Sequence, residues 1–247
     1  MARNSAPVPN YPPLDVLKPV ADDLWIVDSG PHRVLGLPLP VRMTVLRLRG
    51  GDLWLHSPTR CTPGLLAELK SLGGIRHLVA PDVAHWSHLP EWQRACPGAL
   101  TWAAPGLRER SQVKRAGIRI DRDLDEKAPP EWADELAQVV VRGIGFSEVD
   151  FFHQASGTLV MTDLVQNLEP GKMPVAMRML ARWTGVSTPG GTPLYLRLAL
   201  RARQSEVRGA AHRLIGWKPE RVIFSHGRWF AENGTVQLGR ALSWLLG

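Results

Sequence analysis

Cysteine is nearly absent. The 247-residue chain holds two, Cys61 and Cys96, and they do not form the close pair a thiolate metal site requires, so both read as buried free thiols. No apolar run approaches the roughly 20 residues that a bilayer-spanning helix needs. The opening stretch, Met1 to Pro9, lacks the apolar core of a secretory signal, and the expected location is cytoplasmic. There is no phosphate-cradling glycine loop, and Gly143-Ile144-Gly145 lacks the rest of a dinucleotide fingerprint. There is no Gly-x-Ser-x-Gly nucleophile elbow and no internal repeat. Together these absences set aside thiolate zinc proteins, helical membrane proteins, P-loop enzymes and elbow-type serine hydrolases.

What is present is a chain able to bury one substantial core, with 44% hydrophobic residues and a net charge of +7. The positive charge is uneven. Arg178, Arg182, Arg197, Arg201, Arg203, Arg208 and Arg213 crowd one C-terminal region, while Asp121 to Glu135 is acidic. Such a region favours anionic partners: phosphates, acyl carboxylates or a lipid surface. No helix-turn-helix, zinc-finger or stacking signature accompanies it, so nucleic acid is not the expected partner. The basic helix expected over 193–213 reads as a solvated face.

Apolar periodicity alternates strands with helices. Strands are expected at 24–28, 42–48, 53–56, 75–80, 99–103, 139–141, 148–153, 158–162 and 221–224. Gly50-Gly51-Asp52 marks a hairpin turn. Thr62-Pro63 opens a helix that places Leu65, Leu66, Leu69 and Leu72 on one face and ends at Gly73-Gly74. Further helices are expected at 90–95, 105–116, 193–215 and 233–246. The Pro-, Gly- and Met-rich stretch 165–192 reads as a helical insertion whose apolar surface fits a lid or a homodimer contact. Residues 1–19 form an N-terminal extension to a domain spanning 20–247. Met173, Met177 and Met179, with Leu180 and Trp183, read as core or as a lid over it. Trp25, Trp54, Trp86, Trp92, Trp102 and Trp183 read as core anchors.

Polar groups of chemical interest sit just past three apolar strands. Asp82, His85 and His88 follow the strand 75–80, Asp163 closes the strand 158–162, and His226 closes the strand 221–224. Loops at strand ends are where α/β folds hold ligands, and imidazole with carboxylate suits zinc, iron or manganese. His153 ends a strand of its own. His32, His77 and His212 read as solvated.

The segments Leu55-His56-Ser57-Pro58-Thr59, Val79-Ala80-Pro81-Asp82-Val83-Ala84-His85, Phe151-Phe152-His153 with Thr158 to Leu164, and Val222 to Gly227 resemble the metallo-β-lactamase superfamily. More narrowly, they resemble the DUF4336 family. The resemblance runs from about residue 20 to the C-terminus and implies an α/β (α+β) fold, a four-layer αββα sandwich with its site at one edge of two sheets. Carried over residue by residue, it is incomplete. The superfamily's main motif reads His-x-His-x-Asp-His. Pro81 and Val83 stand at its first two histidine positions, His85 falls near its aspartate and Trp86 near its last histidine. Nothing near Gly143 to Phe146 matches the next histidine, and His56 sits where an aspartate is usual. Asp163 matches the bridging aspartate and His226 the last histidine.

The resemblance therefore implies a lost first metal site and a second whose ligands survive as His85, Asp163 and His226, with one place open for a single divalent ion (Zn, Fe or Mn). His88 and His153 are the candidate proton carriers, with His56 supporting the loop. Two functions follow. One is a metal-dependent hydrolase of a small, anionic ester, lactone, thioester or phosphoester. The other is a non-catalytic member of the fold, holding no ion, that binds a small anion or a protein partner.

Overall fold

The computed structural model describes residues 10–34 and 37–246. Seven strands form the first sheet in chain order: β1 (Lys18–Ala21), β2 (Leu24–Val34), β3 (Leu37–Arg47), β4 (Asp52–His56), β5 (Gly74–Ala80), β6 (Leu100–Ala103) and β7 (Arg122–Asp123). The first four pair antiparallel, and β4 through β7 run parallel. The second sheet contains β8 (Leu136–Gly143), β9 (Phe146–His153), β10 (Thr158–Val160) and β11 (Arg221–Ile223), with β10 lying between β9 and β11. The helices are α1 (Pro63–Leu72), α2 (Leu89–Ala95), α3 (Ser111–Arg115), α4 (Val175–Trp183), α5 (Leu194–Leu200), α6 (Gln204–Gly216), α7 (Gly234–Ala241) and α8 (Ser243–Leu246).

Strand alternation divides the interior into layers. Leu53 and Leu55 of β4 point to α1 and α2, while Trp54 between them faces the second sheet. In the second sheet Val160 faces the first, and Leu159 packs under α5 and α6. One apolar core between the sheets and one on the outer face of each make an αββα sandwich. Trp54, Trp102 and Trp132 anchor the middle layer with Phe151, edge to face.

Local sequence accounts for several element ends. Thr62 caps α1 by accepting from the Leu65 amide at 3.3 Å, with Pro63 at the first helical position and Gly73 at the end. Helix is confined to Ser111–Arg115 within 105–116, because the chain passes through the left-handed region at Gly106 (φ +84°). The helix expected over 193–215 is broken by a 3₁₀ turn at Arg201–Arg203. At the break the Ala199 carbonyl accepts from the Ile144 amide at 2.9 Å, so the β8–β9 turn is bonded to this bend. Within 165–192 the regular elements are a 3₁₀ turn at Pro170–Lys172 and α4. Lys18 and Pro19, placed by sequence in an extension, pair with β2; residues 1–9 lie outside the described residues. His77 corrects another expectation: it is 6% exposed and accepts a hydrogen bond from Trp102 Nε1 at 3.1 Å, because its position on β5 faces the aromatic middle layer.

One buried cation fastens the sheets at the edge where the candidate ligands lie. Arg42 of β3, 2% exposed, gives Nη2 to Asp28 Oδ1 at 2.6 Å. Its Nη1 donates to the carbonyls of Phe224 and Gly227 at 2.9 and 2.8 Å, flanking His226. The charge is paired and hydrogen-bonded, the condition under which a buried guanidinium is tolerated. Gly227 itself sits at φ +95°, and a Cβ there would come 2.0 Å from the Asn167 carbonyl oxygen. Gly227→Ala is expected to destabilise the fold by about 3 kcal/mol and to lower the melting temperature, through both strain and clash; thermal unfolding followed by circular dichroism measures it, and an unchanged midpoint would show that the turn relaxes freely.

Candidate metal centre

Four strand exits meet at one edge. The Pro81 carbonyl beyond β5 accepts from the Val149 amide of β9 at 2.7 Å, joining the two sheets there. Asp82 Oδ1 accepts from the amides of Ala84 and His85, both at 2.7 Å, a turn that directs His85 over the strand end. Beyond β10 the fully buried Glu148 carboxyl accepts from three successive amides, Thr162 at 2.7 Å, Asp163 at 2.8 Å and Leu164 at 2.9 Å. That grip fixes the Asp163 backbone. Beyond β4, Ser57 takes a left-handed conformation (φ +54°) and aims its hydroxyl at His85. Such a conformation is uncommon for a residue with a side chain and is held here by its surroundings.

These exits bring His85, Asp163 and His226 together. The two imidazole Nε2 atoms lie 3.2 Å apart, and Asp163 Oδ1 is 3.0 Å from His226 Nε2 and 3.7 Å from His85 Nε2. Donors bound tetrahedrally at zinc distances of about 2.0–2.1 Å stand about 3.3 Å apart, so this triangle has the size of one face of such a site. Each ligand is oriented from behind. His226 Nδ1 donates to the Pro40 carbonyl at 2.7 Å, which leaves Nε2 with the lone pair when the ring is neutral. His85 Nδ1 meets Ser57 Oγ at 2.6 Å, and Asp163 Oδ1 accepts from Gln166 Nε2 at 3.0 Å. The cluster can hold one divalent ion.

Its charges are strongly coupled. Burial alone would push His85 down, but Asp82, Asp163 and Glu148 outweigh it and raise the imidazolium to about 9. Burial would raise Asp163, yet His85 and His226 hold it well below the carboxylate range. Glu148 is driven well above its ordinary value by burial, then by Asp150, Asp82 and Asp163. Asp150, raised to about 7, is buried with it, and desolvation is again the main cause. Asp82 is raised by burial, and its Oδ2 has no hydrogen-bond partner.

The cluster opens into a cavity of about 480 Å³. Leu39, Val41, Leu168, Met177, Ala181 and Val186 help make its wall largely apolar, and no lysine or arginine lines it among the described residues. His88 is on the wall, with Nδ1 3.3 Å from Glu91 Oε1. His32, read as solvated, is also there, exposed at the rim. His153 is not brought to the cluster. It pairs with Thr158 at the start of β10, five residues and about 16 Å of strand from Asp163, and bonds Ser156 Oγ at 2.8 Å. Because β9 and β10 are antiparallel, the strand that carries Glu148 to the site carries His153 away from it. His56 is 1% exposed, stacked on Trp54 beneath the Ser57 turn. Of the methionines, Met173 and Met177 are buried under α4, whereas Met179 and Trp183 are 70% and 76% exposed.

Sequence reasoning missed Ser57, Gln166, Tyr195 and Glu148, all at or behind the site. The signal for Glu148 was present: two carboxyls at alternate positions, Glu148 and Asp150, share one face of an otherwise apolar strand.

The DUF4336 family model matches residues 21–226. The chain belongs to this family, a domain of unknown function. Solved structures match the DUF4336 chain across nearly its whole length. A metallo-β-lactamase from Pontibacter korlensis has a TM-score of 0.62 at 14% identity, covering 93% of this chain and 97% of that one. The metallo-β-lactamase FIM-1 from Pseudomonas aeruginosa, solved in a mono-zinc form, has a TM-score of 0.59 at 14% identity and covers 99% and 100%. Rubredoxin oxygen:oxidoreductase from Desulfovibrio gigas has a TM-score of 0.64 at 13% identity, covering 93% of this chain and 61% of that one. No curated protein sequence matches. The fold is the metallo-β-lactamase-like sandwich expected from the sequence.

The coupled charges predict how metal-free DUF4336 protein responds to pH. A raised imidazolium stabilises fully below its ordinary value of 6.5 and loses that contribution as pH rises through about 9, on the order of 3 kcal/mol. Asp150, raised from 3.8 to about 7, acts with the same sign at lower pH. Urea unfolding of chelated protein from pH 6 to about pH 9 is therefore expected to show falling stability. Added divalent ion, which replaces the proton on His85, is expected to stabilise more at the alkaline end. A flat profile would contradict the coupling.

Proposed function

We propose that this protein is a single-metal hydrolase of uncharged, largely apolar esters, lactones or thioesters. The supporting observation is the His85, Asp163 and His226 triangle at the floor of a cavity walled by aliphatic side chains. His85, Asp163 and His226 would hold a divalent ion, which would supply Lewis-acid chemistry toward a carbonyl and a water.

The remaining roles belong to the chain. Ser57 and the Pro40 carbonyl keep both Nε2 atoms facing Asp163, so the ligand set is preorganised. Leu39, Val41, Met177 and Val186 bind the acyl portion and exclude water around it. His88, on the same wall and oriented by Glu91, is placed to carry a proton to the leaving group. Among the described residues no lysine or arginine lines the wall, so an anionic group away from the ion would find no partner there.

The deciding experiment uses protein purified without a histidine tag. Near-stoichiometric zinc, iron or manganese is expected, with hydrolysis of neutral acyl esters that stops on chelation. Asp163→Ala is expected to lower both metal occupancy and turnover by about 100-fold or more, and Ser57→Ala to weaken metal binding by about 10-fold. Hydrolysis that survives complete metal removal and is lost in Ser57→Ala would move the chemistry to the Ser57–His85 pair. Metal-free, inactive protein whose stability ignores Asp163→Ala would favour the non-catalytic reading.

A further inference from the structure

Between Glu169 and Glu206 the chain has no aspartate or glutamate but carries one lysine and five arginines. This acid-free stretch folds into α4, the turn that follows and α5. Side chains advance about 100° per residue on a helix, so Val175, Met179 and Trp183 form one strip of α4 and Arg178 and Arg182 the strip beside it. The apolar strip is 67%, 70% and 76% exposed. The opposite face of α4 is the one that is held: Met177 and Ala181 are buried against Leu168, Met173 and Val186. From α5, Leu194 and Leu198 add to the exposed surface.

The concentration is not a general property of this surface. Nine large apolar side chains are exposed among the described residues, and seven lie between Val175 and Leu198. An exposed apolar patch of this kind marks a place where something docks. An indole at its edge, arginines beside it and no acidic group are the features of a helix lying in the interface of an anionic bilayer. There the apolar strip enters the acyl boundary and the arginines meet lipid phosphates.

The patch also leads to the cavity. Leu180 and Tyr195 belong both to the exposed surface and to the cavity wall. A protein partner seated here would close the mouth, whereas a bilayer is itself a store of apolar molecules. We propose that the α4–α5 face docks on an anionic lipid bilayer and turns the cavity mouth toward it. Docking stands independently of the hydrolase reading; only delivery of a membrane-dissolved substrate rests on that reading.

Vesicle flotation of the full chain tests it, using phosphatidylcholine alone and phosphatidylcholine mixed with phosphatidylglycerol. The protein is expected to float with the mixed vesicles and not with the neutral ones. The double variant Met179→Glu/Trp183→Glu and the double variant Arg178→Gln/Arg182→Gln are each expected to weaken binding by about tenfold or more. Arg178 is half-buried and gives its Nε to the Met173 carbonyl, so unchanged melting temperature and metal content are needed to show that the substitutions leave the fold intact. Chelated protein is expected to bind vesicles as well as the untreated protein does, which separates docking from any failure of the metal site. Absence of binding at low salt, equal binding to neutral vesicles, or binding unaffected by either variant overturns the proposal. So does a wild-type dimer that Met179→Glu/Trp183→Glu dissociates, since the face would then belong to a second copy of the chain.

Discussion

Four carboxyl groups crowd one edge of this molecule, and no lysine or arginine pairs with any of them among the described residues. Asp82, Glu148 and Asp150 are fully buried, and Asp163 stands at the cavity floor beside them. Burying charge without a partner is among the costliest arrangements a fold can contain. Two devices relieve it here. Glu148 and Asp150 are pushed toward their neutral forms, and Glu148 is satisfied by three backbone amides. Asp82 and Asp163 are left facing His85, whose imidazole must carry a proton or share an ion with them. The edge is therefore built to hold a cation, and its stability depends on which one is present.

The same constraint explains how the site is held together. Neither sheet could form it alone, since His85 comes from the first and Asp163 and His226 from the second. One buried polar group fastens the junction, and a second fixes a ligand within the second sheet. Arg42 of the first sheet binds carbonyls on either side of His226, and Glu148 of the second binds amides on either side of Asp163. The positions where the superfamily resemblance calls for two further histidines have structural duties instead. Pro81 lends its carbonyl to Val149 across the sheets, and Val83, 8% exposed, packs in the core beneath α5 and α6. Packing occupies those two positions, and beside them stands one three-residue cluster able to hold a metal ion.

The legible parts of the sequence were those governed by local periodicity. Short apolar runs marked β4, β5 and β10, Thr62-Pro63 marked the start of α1, and strand-end polar residues named His85, Asp163 and His226. What escaped depended on long-range geometry. His153 and Glu148 lie on one strand, and only the antiparallel pairing with β10 decides which end reaches the site. Ser57 matters through a positive φ that no motif announces, and His77 is buried because an aromatic layer formed by distant strands closes over it. Trp183 reversed the usual expectation for tryptophan. Its neighbours Met177 and Ala181 bury the other face of α4, which leaves the indole in solvent.

Charge distribution joins these features. The net charge of +7 suggests attraction for anions, yet among the described residues none of that positive charge lines the cavity. It lies outside, on the segment that carries the exposed apolar strip. Inside, a divalent ion held at the cluster would offset the charges of Asp82 and Asp163. An anion entering that space would gain little from a neutralised centre and would lose its hydration against aliphatic walls. On the proposed reading, a neutral acyl group would lose nothing polar except its carbonyl, which would face the ion. The basic surface and the apolar cavity thus lie apart: the arginines flank the exposed strip of α4, and among the described residues none of them lines the cavity.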